Sequence, residues 1–248
     1  YDSITASRLL KKKEYVYSDL GLYYIKEIIE SLSCNTLDKY TDEVFYKPLG
    51  LKTMCFNPLD RIDPRNIVPT EKDDYFRHQL IHGYVHDQGA AMLGGVAGHA
   101  GLFSNAADLA VIMQMLLQGG EYGGVQYLDQ STVNEFIHQQ FPLNNNRRGI
   151  GFDKPEPDLW DDGPVCKSAS TESFGHTGFT GTIAWADPKY NLVYIFLSNR
   201  VYPSAQNTKL SKMRVRKAVQ QVIYDAVMHI EPMMTIDGTE KLPPTEIE

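Results

Sequence analysis

The last third of the sequence constrains the fold most tightly. Three strand-like stretches follow one another there, residues 174–179, 182–186 and 192–198. Asp187-Pro188-Lys189-Tyr190-Asn191 has turn chemistry, which predicts an antiparallel hairpin from the last two. A helix is predicted next over residues 209–230, with an apolar face at Val219, Val222, Ile223, Ala226, Val227 and Ile230 and Pro232 as its stop. Three strands and one helix cannot enclose a core. The sheet needs a cover from the region before residue 174 and further strands on one edge. The prediction is an α+β fold, a helical region packed on an antiparallel sheet, with the sheet incomplete in this chain.

The preceding region reads as mainly helical. After Tyr17-Ser18-Asp19, apolar residues recur at helical spacing (Leu22, Ile25, Ile28, Ile29, Leu32), with Ser18 or Asp19 placed to cap the first turn. A short helix is predicted over residues 37–45 and a long loop over 57–74. Ser104 is placed to cap a helix whose apolar face is Leu109, Ile112, Met113, Leu116 and Leu117, stopped by Gly119-Gly120. Residues 128–139 read as another helix, and 144–173 as loop with one short strand near 149–152. The chain divides accordingly into a mainly helical region with its loops (1–172), the strands and last helix (173–231), and a loose tail (232–248).

Composition removes several function classes. Of 248 residues, 42% are hydrophobic and 22% charged, enough to bury a core. The 24 Lys+Arg against 31 Asp+Glu give a net charge of −7, which argues against a nucleic-acid partner, and the basic runs at 11–13 and 209–217 read as solvated faces. No apolar run approaches the roughly 20 residues of a membrane span. Cys34, Cys55 and Cys166 are odd in number and widely spaced, so no disulfide framework is implied. The start at Tyr1 carries neither an initiator Met nor the features of a signal peptide, and the expectation is a chain that begins inside a longer polypeptide.

Three features have chemical potential. His78, His82 and His86 are four apart, the spacing of zinc ligands on a helix, but Gly83 interrupts that helix and no Glu follows a His. Hydrogen-bonded or solvated histidines are the simpler reading, and no metal is assigned. His176-Thr177-Gly178 opens a strand, where backbone N–H groups and a hydroxyl are free to hold a carbonyl or carboxylate, or where a tight turn simply contains a His. Tyr17-x-Asp19 sets a phenol beside a carboxylate at a helix start, although Tyr40-x-Asp42 and Tyr127-x-Asp129 repeat the pattern. A tyrosine acts as a general base only where cations lower its pKa.

Taken in order, Tyr17-Ser18-Asp19, the glycine-rich run from Gly94 to Ser104 with Asp108-Leu109-Ala110, and Gly175-His176-Thr177-Gly178 resemble the serine β-lactamase-related family: class C β-lactamases, DD-carboxypeptidases, D-aminopeptidases and related esterases. The resemblance runs from about Lys13 to Ile230 and implies a β-lactamase/transpeptidase-like fold. It implies that Tyr17 is the base or proton shuttle, with Asp19 contacting substrate or a catalytic lysine. His176 and Thr177 would hold the substrate's carboxylate or carbonyl side, and the N–H of Phe179, after Gly178, would be half of an oxyanion hole. The glycine-rich run would line one wall of the cleft. Asp19 departs from the family's Tyr-x-Asn, and His176 replaces the lysine of Lys-Thr-Gly, as in several of the peptidases and esterases.

The family's nucleophile, the Ser of Ser-x-x-Lys, precedes the tyrosine by several tens of residues, and no Ser-x-x-Lys occurs in these 248 residues. It is expected upstream of Tyr1, which makes this chain alone inactive. The resemblance further implies a small-molecule or peptide substrate, a periplasmic or secreted location, no cofactor, and cell-wall fragments as a substrate class where a sugar-hydrolysing module precedes. The alternative is a non-catalytic module of the same shape that binds cell-wall peptides or a partner. Missing strands would leave apolar surface exposed, so the chain alone is expected to self-associate.

Overall fold

The computed structural model describes residues 1–12, 14–144, 146–157 and 163–229; the predicted tail, 232–248, and residue 230 of the predicted last helix lie outside them. A single turn, α1 (Asp2–Thr5), is tied to α2 (Leu20–Ser33) by the Tyr1 hydroxyl, which donates to Glu27 Oε1 at 2.6 Å. Asp19 stands at the cap position of α2, while the Ser18 hydroxyl accepts the Leu20 N–H at 3.2 Å. The apolar period makes the helix, yet its stripe is only partly covered: Leu22 and Ile29 are half-buried, while Leu20, Ile25, Ile28 and Leu32 are exposed, Leu32 at 82%. The helix predicted at 37–45 is α3 (Leu37–Thr41) continued by a wider π turn over Asp42–Tyr46.

The predicted loop at 57–74 is more ordered than its sequence suggests. After β1 (Cys55–Phe56) come short 3-10 turns at Pro58–Asp60 and Pro64–Asn66, then β2 (Pro69–Asp73), which pairs antiparallel with β3 (Gln79–His82). The Asp73 carboxylate folds the chain back by accepting the N–H groups of Tyr75, Phe76 and Arg77 at 2.8–3.0 Å. α4 (Gln88–Met92) is capped by Asp87, and β4 (Leu102–Phe103) returns to pair with β1. Asn105, not Ser104, caps α5 (Ala106–Leu117): its Oδ1 accepts the Asp108 N–H at 2.8 Å, while the Ser104 hydroxyl turns to the Asn105 carbonyl. A small hairpin, β5 (Glu121–Tyr122) and β6 (Val125–Gln126), leads to α6 (Gln130–Ile137).

The sheet is β7 (Phe174–Thr177), β8 (Ile183–Asp187) and β9 (Leu192–Phe196), antiparallel in that order. Alternation gives it two faces. Phe174, Ala184, Ala186, Val193 and Ile195 pack with Met113, Leu116 and Leu117 of α5. Ile183, Trp185, Tyr194 and Phe196 pack with Val165 and Ile223. The helical region thus covers one face, and β9 has no second neighbour among the described residues. In place of the strand predicted near 149–152 there is a single bridge between Asp153 and Gly175, which lays that loop along the free edge of β7.

The predicted last helix is split into α7 (Lys209–Lys212) and α8 (Val215–His229), because Arg214 adopts a left-handed φ of 51°. The buried face of α8 is also rotated from the apolar one. Gln220 and Tyr224 are buried, whereas Val219 and Val222 are exposed. Both buried residues have partners: Gln220 Oε1 accepts the Cys166 N–H at 2.9 Å, and the Tyr224 hydroxyl donates to Asp187 Oδ2 at 2.6 Å. No helix among the described residues is long and apolar enough to cross a membrane.

Two buried tyrosines give the fold an alkaline limit. Burial pushes Tyr194 up to about 12, and burial together with the Asp187 carboxylate pushes Tyr224 higher still. An unfolded tyrosine titrates near ~10. The folded chain therefore keeps protons that the unfolded chain releases; stability is full below about pH 10 and falls as pH rises through that value, by about 1.4 kcal/mol per pH unit for each tyrosine. Urea unfolding followed from neutral to alkaline pH should show this slope, and Tyr224→Phe should make it shallower.

Candidate active site

Tyr17 lies just before α2 and is 57% exposed as a residue. The Arg148 guanidinium carbon sits 5.0 Å from that ring's centroid, and the His176 ring on β7 lies 6.2 Å away. The bridge between Asp153 and Gly175 delivers the arginine: Asp153 N–H donates to Gly175 O at 2.7 Å, and Gly175 N–H returns a bond at 3.1 Å. Asp153 is buried and accepts from Nε and Nη2 of Arg147 (2.7 and 3.0 Å), with Arg148 Nη2 at 3.2 Å. The other arm of Arg148, Nη1, is 2.6 Å from His176 Nε2. A guanidinium only donates, so Nε2 accepts and the imidazole proton is on Nδ1, where it donates to the Thr177 carbonyl at 2.7 Å.

The electrostatics keep Tyr17 protonated. Burial raises its phenol first and the Asp19 carboxylate raises it further, while Arg148 pulls the other way and is outweighed. Tyr17 in this setting is a neutral phenol at pH 7, and a base role requires another cation.

The turn after β7 presents Phe179. Gly178 N–H donates to Thr182 O at 2.9 Å, and a Cβ at Gly178 would strike the Thr182 hydroxyl, so a side chain there would force the turn open. Phe179 stands at the tip, 63% exposed, its ring between the Arg200 guanidinium at 4.6 Å and His86 at 5.2 Å. Among the described residues its backbone N–H has no acceptor.

The glycine-rich run is pinned to α2. A Cβ at Gly98 would meet the Leu22 carbonyl, which explains the glycine at that approach. His99 stacks on Tyr23 with centroids 4.6 Å apart and donates through Nε2 to Asp87 Oδ1 at 2.9 Å. Farther along, Asp108 Oδ2 accepts both the N–H and the hydroxyl of Thr53 at 2.7 Å, fixing the start of α5.

Of the residues singled out in the sequence, Tyr17 and His176 come together, with Thr177 as the acceptor that fixes the His176 ring. Asp19 stands at the N-cap position of α2 without a side-chain capping bond, and its charge acts on both Tyr17 and Tyr23. Gly178 and Phe179 form the adjoining turn. Arg148 and Asp153 were not singled out; they lie in an aperiodic stretch where only the Arg147-Arg148 pair before Gly149 stands out. His78, His82 and His86 do not share a helix face, because β3 and a loop carry them; His82 Nε2 bonds the Ile67 carbonyl at 2.6 Å and His86 lies 3.2 Å from Glu71. Among the described residues no group of three His, Cys, Asp or Glu side chains is arranged to hold a metal ion.

A family model described as Beta-lactamase matches residues 5–216. A curated protein of Salmonella newport (strain SL254) named "Putative D-alanyl-D-alanine carboxypeptidase" is 36% identical over 215 residues, 80% of this chain and 48% of that protein. The chain thus spans about half the length of the curated relatives it matches. Among solved structures, a β-lactamase from Mycobacterium bovis superposes with a TM-score of 0.58 at 20% identity, covering 86% of this chain and 65% of that one. Unliganded simvastatin synthase from Aspergillus terreus superposes with a TM-score of 0.60 at 18% identity, covering 86% and 55%. At these identities the two likenesses establish the fold.

Proposed function

Because this chain belongs to the Beta-lactamase family of serine hydrolases, we propose that it carries the Tyr17 and His176-Thr177-Gly178 side of an acyl-transfer site whose nucleophilic Ser-x-x-Lys lies upstream of Tyr1. The observation that carries this reading is the convergence of Tyr17, near the start of the chain, with His176, more than a hundred residues later, beside a turn whose Phe179 N–H is unoccupied. The serine hydroxyl attacks the substrate carbonyl and gives its proton to the neutral amine of the lysine. The N–H groups of Phe179 and of the serine receive the oxyanion. Tyr17 gives its phenol proton to the leaving group as the C–N or C–O bond breaks and is reprotonated by the lysine, and water then hydrolyses the acyl-enzyme. The neutral phenol of Tyr17 suits the proton-returning step and leaves initial activation to a neighbouring lysine. His176 and Thr177 hold the carboxylate or carbonyl side of the substrate.

The substrate class best supported is a peptide ending in D-alanine, by likeness to the Salmonella protein, with esters and β-lactams as the other acyl donors of the family, and a periplasmic or secreted location follows. The test is hydrolysis by the longer protein that includes the upstream segment: release of D-alanine from an acyl-D-alanyl-D-alanine peptide, compared with a chromogenic cephalosporin and a p-nitrophenyl ester. Release of D-alanine as the fastest reaction supports the reading. Binding of the peptide without turnover of any of the three would favour the non-catalytic module, toward which Asp19 in place of asparagine points.

A further inference from the structure

We propose that Arg148 is a positioning residue of this site, holding His176 as a neutral ring with Nε2 as acceptor and standing over Tyr17 as its cationic neighbour. The inference rests on the acyl-transfer reading given above for Tyr17 and His176, and it assigns to a loop residue the link between them.

The geometry is over-determined on every side but one. Arg148 Nη1 bonds His176 Nε2 at 2.6 Å, Nη2 lies 3.2 Å from the buried Asp153 carboxylate, and the guanidinium carbon is 5.0 Å from the Tyr17 centroid. Asp153 is itself fixed by Nε and Nη2 of Arg147 and by the backbone bridge to Gly175, so Arg148 is held from the strand that carries His176. The remaining donor, Nε, is buried without a partner. An arginine cannot give up its proton at ordinary pH, so it fixes the His176 tautomer in a way that a neutral donor would not. The bond from Nη1 to Nε2 requires that this ring nitrogen carry no hydrogen. The charged and titratable groups that face Tyr17 are Asp19 and Tyr15 from its own segment and Arg148 and Asp153 from the loop, with the His176 ring beside them on β7. Arg148 is the one nearby positive charge among them.

The experiment reads the rings directly in the 248-residue chain, with 15N-histidine and 13C-tyrosine labels. In the wild-type chain, two-bond 1H–15N spectra should show His176 protonated on Nδ1. Arg148→Gln should move the population toward the Nε2–H form and shift the Tyr17 titration midpoint upward. Arg148→Lys, which keeps the charge but not the two-armed fork, should keep the Tyr17 midpoint nearer to wild type while losing the fixed tautomer. In the longer nucleophile-bearing protein, Arg148→Gln should lower kcat roughly a hundredfold with a smaller change in KM.

A wild-type His176 protonated on Nε2 would overturn the inference, even if neither variant folds. So would an Arg148→Gln chain in which both signals stay where they were. Inactivity of the longer wild-type protein would remove the acyl-transfer reading and, with it, the catalytic part of this inference, and would leave the tautomer result standing as a separate observation.

Discussion

Replacing Tyr17 with phenylalanine in the nucleophile-bearing protein should lower kcat/KM by roughly 10²–10⁴-fold, the usual contribution of a placed proton donor and acceptor. The change removes one oxygen and leaves the ring, so the contacts with Arg148 and His176 persist. The residue is more than half exposed, so little packing depends on the hydroxyl. The loss should fall mainly on kcat, because the hydroxyl acts when the proton moves and not when the substrate docks. Tyr15, two residues earlier and also exposed, is the control: Tyr15→Phe should leave the rate within about twofold of wild type. Steady-state kinetics on the two variants decide the matter, and equal rates for wild type and Tyr17→Phe would take Tyr17 out of the chemistry.

The second large effect is on stability. Asp187 is 1% exposed and ties three parts of the chain together. Its carboxylate accepts the N–H and hydroxyl of Ser170 at 2.8 and 2.6 Å, the hydroxyl of Tyr224 at 2.6 Å, and the Lys189 N–H at 3.1 Å. The loop before β7, the turn between β8 and β9, and α8 all meet on that one side chain. Asp187→Ala removes the acceptor and leaves one buried donor, the Tyr224 hydroxyl, and three partly buried ones behind, each costing about 1–3 kcal/mol where water cannot replace the lost bond. The expected loss is about 3–5 kcal/mol, since water reaching Ser170 offsets part of it. Tyr224→Phe deletes a single bond and should cost about 1 kcal/mol. Urea unfolding at neutral pH measures both, and equal small losses would mean that Asp187 is no hub.

Much of this architecture is legible in the sequence because it is local. The strand segments alternate with period two, Asp187-Pro188 turns them, and the glycine-rich run announces a close approach of backbones, which the structure places between Gly98 and Leu22. What escapes is set by partners distant along the chain. Nothing near Asp73 shows that β2 will pair with β3, and nothing in the apolar stripe of α8 shows that Gln220 and Tyr224 will face inward to reach Cys166 and Asp187. Arg148 is invisible for the same reason. Its position comes from one backbone bridge, Asp153 to Gly175, in a stretch without period. Ser104 and Asn105 are equally good caps by residue type, and contacts with distant Thr53 mark the difference: Asn105 Nδ2 donates to its hydroxyl, while Asn105 Oδ1 accepts the Asp108 N–H.

Part of the apolar stripe of α2 is exposed, and β9 has no second neighbour among the described residues. Leu20, Ile25, Ile28 and Leu32 are exposed in a helix whose period is made for burial. If the upstream segment carries the nucleophile, that segment is also the natural cover for such surface. Light scattering on the 248-residue chain should therefore report self-association that lessens when the upstream segment is restored, and a monomer at high concentration would count against this.

The most direct measurement is intact-mass analysis after incubation with a fluorophosphonate or a penicillin, on the longer protein and on the 248-residue chain in parallel. The account predicts one covalent adduct on the longer protein, mapped to the serine of an upstream Ser-x-x-Lys, slowed by Tyr17→Phe, and none on the shorter chain. An adduct on a serine within these 248 residues, or none on a folded longer protein, would contradict it.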